Sequence, residues 1–371
     1  MFMELRPCFT EIDLKIIEAN YKNIKDYVNK DVIGVVKANA YGHGAIEVSQ
    51  ILVENGVAML AVATVEEALE IRDVIEYIPI LILGPVPDCQ KSTCILNDIS
   101  FIVSSSEEAR TTSLIAKKFK KTALIHIALD TGMSRVGFFA HSKNNPLLDE
   151  LLSMLNLEFI NFEGIFTHFA TADESDLDFM KNQYSSFKDI VLNLLSKGFL
   201  FKYIHCQNSA ASVTLEDSIC NCVRAGIYLY GYYPSGDVEK NIVISPALKW
   251  KCRISHIKTV PPGTPVGYGS TYVTSKTTKI ATIPVGYADG FRRSMSNKFK
   301  VSYKNHDAKI IGRVCMDQSM IDISSLDCKI GEYVNLIDER NTADCMAQID
   351  NTISYEVLCG ISARVPRTYL R

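Results

Sequence analysis

The stretch VIGVVKANAYGHG, residues 32–44, runs through β-branched residues into one lysine, Lys37, and then into small residues and glycines. An apolar run of this kind reads as a buried strand that ends on a charge. Comparable runs recur through the first two thirds of the chain: MLAVA (59–63), PILIL (79–83), SFIVS (100–104), ALIHIAL (123–129), FEGIFT (162–167), YIHC (203–206) and NCVRA (221–225). With the first they make eight. Segments with helical apolar spacing lie between them, among them VEEALEIRDVI (65–75), SEEARTTSLIAKKFK (106–120) and MKNQYSSFKDIVLNLLSKG (180–198), and a further helical segment, 13–28, precedes the first run. Eight strand–helix units close into a parallel barrel.

From about Ser245 the texture changes. In LKWKCRISHIK (248–258), Leu248, Trp250, Cys252 and Ile254 alternate with polar neighbours, the period of a half-buried strand. Further β-like runs follow at 279–285, 309–314 and 320–324, separated by turn clusters such as PPG and KNHD. The expected fold class is therefore α/β, an N-terminal (β/α)8 TIM-type barrel followed by a mostly β C-terminal domain. The polar segment SGDVEKN (235–241) marks the boundary, with domains expected at 1–240 and 241–371.

Composition narrows the partners. A chain of 371 residues with 47% hydrophobic and 22% charged residues and a formal net charge of -3 has neither the basic surface that nucleic acid or an anionic membrane requires nor an apolar run long enough to cross a bilayer. The start lacks a signal-like apolar region, which points to the cytoplasm. Of the eleven cysteines only Cys89/Cys94 and Cys220/Cys222 are close in sequence, and neither pair has a histidine at a zinc-like interval, so scattered reduced thiols and no metal are expected.

A barrel collects its chemistry where strands end and loops lead into helices. Lys37 ends the first strand, Arg135 follows the fifth, His168 follows the sixth, His205, Asn208 and Ser209 follow the seventh, and Arg224 lies on the eighth. The loops after strands seven and eight are the customary phosphate position in this fold, and the Ser209 hydroxyl with the amides around Ala210, Gly226 and Ile227 suits an anion. Ser209 would equally serve as a helix cap, and Gly226 as a turn former. A partly desolvated lysine at a strand tip becomes a nucleophile toward carbonyls, which together with a phosphate site suggests pyridoxal phosphate or a phosphorylated sugar.

Nine segments in order along the chain resemble the alanine racemase family, the two-domain barrel-type pyridoxal-phosphate enzymes: VVKANAYGHG, DTGMSRVG, GIFTHFATADES, HCQNSAAS, RAGIYLYG, VGYGSTY, PVGYADG, GRVCMDQ and NTISYEVLCGISARVPRTYL. The resemblance implies an isomerase that interconverts L- and D-alanine with pyridoxal 5'-phosphate carried on Lys37. Tyr41, His168, Asn208, Ser209, Gly226, Ile227 and Tyr355 would surround the cofactor, and Arg224 would face its ring nitrogen. It implies Lys37 and Tyr268 as two opposed bases, with Tyr268 entering from the second subunit of a homodimer. Arg135, the backbone at Met316, and Tyr287 would receive the substrate, while His205, Cys315 and Asp317 would lie behind them. His168 and Arg135, with His205 behind, are expected to assist Tyr268 through hydrogen bonds and positive charge. D-alanine for peptidoglycan is the implied product; a broader or serine-preferring racemase and a non-catalytic cofactor-binding protein are the alternatives. Many relatives carry a modified lysine two residues before the aspartate of DTGM; here that position is Ala128, which leaves the positioning of Arg135 to some other group.

Overall fold

The computed structural model of the chain describes residues 6–140, 147–216 and 219–371, which separate into two compact units. The first unit is built on eight parallel strands, β1 (Asp31–Val35), β2 (Met59–Val62), β3 (Ile80–Ile82), β4 (Ser100–Val103), β5 (Ala123–Asp130), β6 (Ile160–Phe166), β7 (Tyr203–His205) and β8 (Cys222–Ala225). Each pairs with the next from β1 to β7, and β8 pairs with β1, placing Arg224 opposite Ile33. The remaining gap is bridged by backbone bonds from Asn221 to Ile204 (3.1 Å) and from Arg224 to Gln207 (2.9 Å), so the barrel is nearly closed. Its strands are mostly apolar because both faces are covered, and every residue of β2, β3, β4 and β8 is buried.

Helices follow the strands as the spacing predicts, over Val65–Arg72, Ser106–Phe119 and Asp178–Ser196, and Leu14–Val28 precedes β1. Two of them begin with reciprocal caps. Thr64 accepts from the Glu67 amide while Glu67 accepts from the Ala63 amide; Ser105 accepts from Glu108 while Glu108 accepts from the Ser104 amide. Such caps satisfy amides that a helix start leaves without partners and set where each helix begins.

The second unit is a nine-stranded sheet. Its order is 256–260, 278–283, 319–322, 306–310, 300–303, 333–337, 248–253, 8–13 and 367–370. Trp250, fully buried, anchors its core edge-on to Phe291 with ring centroids 6.3 Å apart, and its indole N–H donates to the Cys8 sulfur.

The expected division at 240/241 differs from the observed one. The sheet unit takes the described residues up to Ile16 and residues 41–44 as well as everything from Ser245, because Cys8–Asp13 pairs antiparallel with Leu248–Arg253 and parallel with Arg367–Leu370. A strand needs pairing partners on the sheet that suits its alternating burial, whatever its position in sequence, and Cys8, Thr10 and Ile12 supply that alternation.

Candidate active site

Lys37 stands two residues beyond β1, half-buried at the barrel rim. The four residues after it, Ala38, Asn39, Ala40 and Tyr41, all adopt left-handed backbone with φ of 52–53°. For residues with a Cβ this costs roughly 1–2 kcal/mol each, so the turn persists only because its surroundings hold it. Glu67 accepts from the Ala38 amide (2.7 Å), Val36 from Ala40 (2.8 Å), and the Asn39 side chain from Ala45 (2.8 Å). The helix that caps itself with Glu67 thereby also clamps the turn beside Lys37.

Arg224 is buried on β8, its guanidinium over the Phe166 ring at 5.5 Å, and every group it is hydrogen-bonded to is an acceptor. Nη1 donates to His205 Nδ1 (2.8 Å) and to the His205 carbonyl (3.1 Å). Nη2 donates to His168 Nδ1 (2.9 Å) and to the carbonyls of Thr167 (3.0 Å) and Cys206 (3.1 Å). Burial lowers its pKa to about 10, which still leaves it charged at neutral pH. A guanidinium can only donate, so both histidines must present unprotonated Nδ1. His205 then donates from Nε2 to His126 Nδ1 (2.9 Å), and His126 turns its own Nε2 toward Glu163 at 3.5 Å, long for a hydrogen bond but close enough for attraction. Glu163 is held in turn by the Ser100 hydroxyl at 2.5 Å. Gly164 makes room for this chain; a Cβ there would lie 2.2 Å from His126 Nδ1.

The proton positions follow one direction, from arginine to carboxylate, and all three histidines are neutral. Burial, followed by the Arg224 charge, holds His168 and His205 well below the ordinary value, and burial holds His126 below it. This corrects one expectation. His168 can offer a hydrogen bond from Nε2 but no positive charge, because Arg224, with Arg135 and Lys37 nearby, already supplies it.

After β7, Asn208 accepts from the Ala211 amide (2.9 Å) and Ser209 from the Gly226 amide (3.0 Å), joining the loops that follow β7 and β8. Ile227 opens a short 3-10 turn, Ile227–Tyr230. Arg135 is exposed in the loop after β5, shaped by Asp130 accepting from the amides of Gly132 and Ser134 (3.0 Å each). Ala128 is buried on β5 and offers no polar group to Arg135.

The second unit carries the other predicted residues. Tyr41 and Tyr355 rings meet at 5.8 Å, and burial raises the Tyr41 pKa. Tyr268 follows Gly267 (φ 69°) in a tight turn, is 70% exposed, and borders a groove of about 370 Å³ with Lys258, Cys315 and Met320. The carbonyls of Cys315 and Met316 accept from the amides of Tyr287 (3.0 Å) and Ala288 (3.1 Å), so backbone bonds stitch the two loops together. Gly286 is required there, since a Cβ would fall 2.2 Å from the Cys315 carbonyl oxygen. Asp317 accepts from Arg364 (2.7 Å), whose Nε pairs with buried Asp289 (2.9 Å); Asp289 also accepts from Gly286 (3.0 Å).

Sequence reasoning left out His126, Glu163 and Arg364. The first was legible as a lone polar residue inside the apolar run ALIHIAL; the third braces the Tyr287 and Met316 loops through Asp289 and Asp317. Among the described residues no group of three or more His, Cys, Asp or Glu side chains is arranged to hold a metal ion.

Comparison with known proteins agrees with the geometry. Residues 12–234 match the family described as alanine racemase, N-terminal domain, and residues 247–369 match alanine racemase, C-terminal domain. The chain is 44% identical to alanine racemase 2 of Caldanaerobacter subterraneus subsp. tengcongensis, covering 100% of this chain and 96% of that one. The solved alanine racemase of Clostridium difficile 630 superposes with a TM-score of 0.94 at 42% identity, covering 98% and 96%. That of Bartonella henselae, described with covalently bound pyridoxal phosphate, gives 0.87 at 28% identity, covering 98% and 99%. The chain belongs to the alanine racemase family of isomerases.

Proposed function

We propose that this chain binds pyridoxal 5'-phosphate and racemises alanine by a two-base mechanism, as a cytoplasmic homodimer that supplies D-alanine for peptidoglycan. The observation that carries the reading is the setting of Arg224. All its described hydrogen bonds leave from Nη1 and Nη2, and Nε enters none of them. A pyridine nitrogen is the acceptor that such a donor-only group suits, and it would remain unprotonated.

Lys37 would carry the cofactor, and Ser209, Gly226 and Ile227, with Tyr41, Asn208 and Tyr355, would take its phosphate. The Ser209 oxygen already accepts from the Gly226 amide, which leaves its own proton to donate. Bound there, the cofactor would supply an electron sink that makes the C–H of the substrate α-carbon acidic. Lys37 Nζ then holds or returns a proton on one face, and the Tyr268 hydroxyl of the second copy does so on the other. His168, neutral and with its N–H at Nε2, orients rather than charges its neighbours. Arg135 and the Met316 amide receive the carboxylate, and Tyr287 limits the side chain to about a methyl. In this reading the barrel residues up to about 240 hold the cofactor, joined at its phosphate by Tyr355, and the residues from 241 contribute to the partner's site.

The test is direct. Purified protein with pyridoxal phosphate should show an absorption band of the lysine-bound cofactor and convert either enantiomer of alanine to the racemate. Binding without interconversion, across a panel of amino acids that includes serine, would overturn the racemase reading in favour of a cofactor-binding protein.

A further inference from the structure

The fold brings together two cysteines that the sequence keeps apart. Cys206 directly follows β7, Cys220 stands two residues before β8, and their sulfurs lie 3.3 Å from each other. Both are reduced; Cys206 is fully buried and Cys220 is 6% exposed. The backbone on either side is held. The Cys206 carbonyl accepts from Arg224 (3.1 Å), while Asn221, beside Cys220, bonds through its side chain to the Ile204 amide (2.9 Å) and the Lys202 carbonyl (2.8 Å). A disulfide needs about 2.0 Å between sulfurs, so a movement of roughly 1.3 Å, within the reach of side-chain rotation, would join them.

We propose that Cys206 and Cys220 form an oxidative modification site, a dithiol that hydrogen peroxide converts to an intrachain disulfide tying down the segment between them. Cys220, the more accessible, attacks the O–O bond as the thiolate; one water leaves and a sulfenic acid forms. The Cys206 sulfur then displaces the second oxygen as water, and both thiol protons end in the two waters released. Sulfur is oxidised and peroxide is reduced, with no other reactant. Cys222 does not compete as the attacking thiol, since it is 1% exposed and burial pushes its thiol up to about 12. The closed loop spans a sequence separation of 14 and contains Asn208 and Ser209, but the site itself does not depend on the cofactor reading.

The full-length protein is treated with a few equivalents of hydrogen peroxide, alkylated and digested. The expected result is a peptide pair joined through Cys206 and Cys220, separated by dithiothreitol, with a thermal midpoint a few degrees above that of the reduced protein. Cys220→Ser removes both signals, as does Cys206→Ser, and Cys222→Ser keeps them. Should Cys206→Ser fail to fold, Cys220→Ser decides alone. Recovery of both residues as alkylated thiols after peroxide overturns the site, and a joined peptide with an unchanged midpoint overturns the claim that it ties the segment. Neither readout uses activity, so failure here is distinct from failure of the racemase reading.

Discussion

In the barrel unit Arg224, His205 and His126 are each no more than 3% exposed and reach one another through bonds of 2.8–2.9 Å, whereas in the sheet unit Tyr268 is 70% and Met316 52% exposed. The first group is wired internally, with each proton position dictated by the next residue. The other is presented outward on loops fixed by backbone bonds, by Gly286 and by the Arg364–Asp289 brace. A buried polar chain loses both stability and function when a link is removed, because the remaining groups are left without partners. An exposed side chain on a rigid loop can lose function alone.

The contrast can be tested by substitution. Lys37→Ala should lower racemisation by about 10⁴-fold or more and abolish the absorption band of the lysine-bound cofactor; an unchanged band would remove Lys37 from the site. Tyr268→Phe should cost roughly 10²–10⁴-fold in turnover while leaving the free energy of urea unfolding within about 0.5 kcal/mol, as expected for an exposed residue. A marked loss of stability would break the distinction between the two units. His205→Ala is the opposite case. It strands an arginine N–H and the His126 acceptor, so chemical denaturation should show a loss of about 2 kcal/mol or more together with impaired activity.

Acid should act on the barrel in particular. His126, His168 and His205 are held neutral by burial and the Arg224 charge, below the value of about 6.5 they regain on unfolding. Their contribution to stability is fully present above that pH and is lost as pH falls below it, by up to about 1.4 kcal/mol per pH unit for each histidine. Urea midpoints measured between pH 7.5 and 5 should decline accordingly, and a flat profile would mean the histidines are not buried neutral. The smallest effect is expected at the turn beside Lys37, where Ala38→Gly should raise stability by up to about 1 kcal/mol by relieving left-handed strain. A calorimetric decrease would show that the turn is not strained at that residue.

The barrel was legible because its strands are short, apolar and bounded by turns, and because eight of them alternate with helices. Lys300–Tyr303 and Tyr333–Ile337 were not read as strands, since their segments are short and partly polar and gain their identity from pairing with distant partners. Lys37, Arg135, His168, Ser209 and Arg224 could be placed at strand ends from position alone. The charge state of His168 could not, because it depends on Arg224, 56 residues away. Nor could the approach of Cys206 to Cys220, which sequence spacing hides and the closure of the barrel creates.

The turn that follows Lys37 has one more consequence. Four consecutive residues there hold the backbone handedness that D-amino acids adopt with ease, in a site proposed to act on both hands of alanine. A semisynthetic chain carrying D-alanine at position 38, where the side chain is exposed, would fit this mirror-image segment better than the L-residue encoded for it.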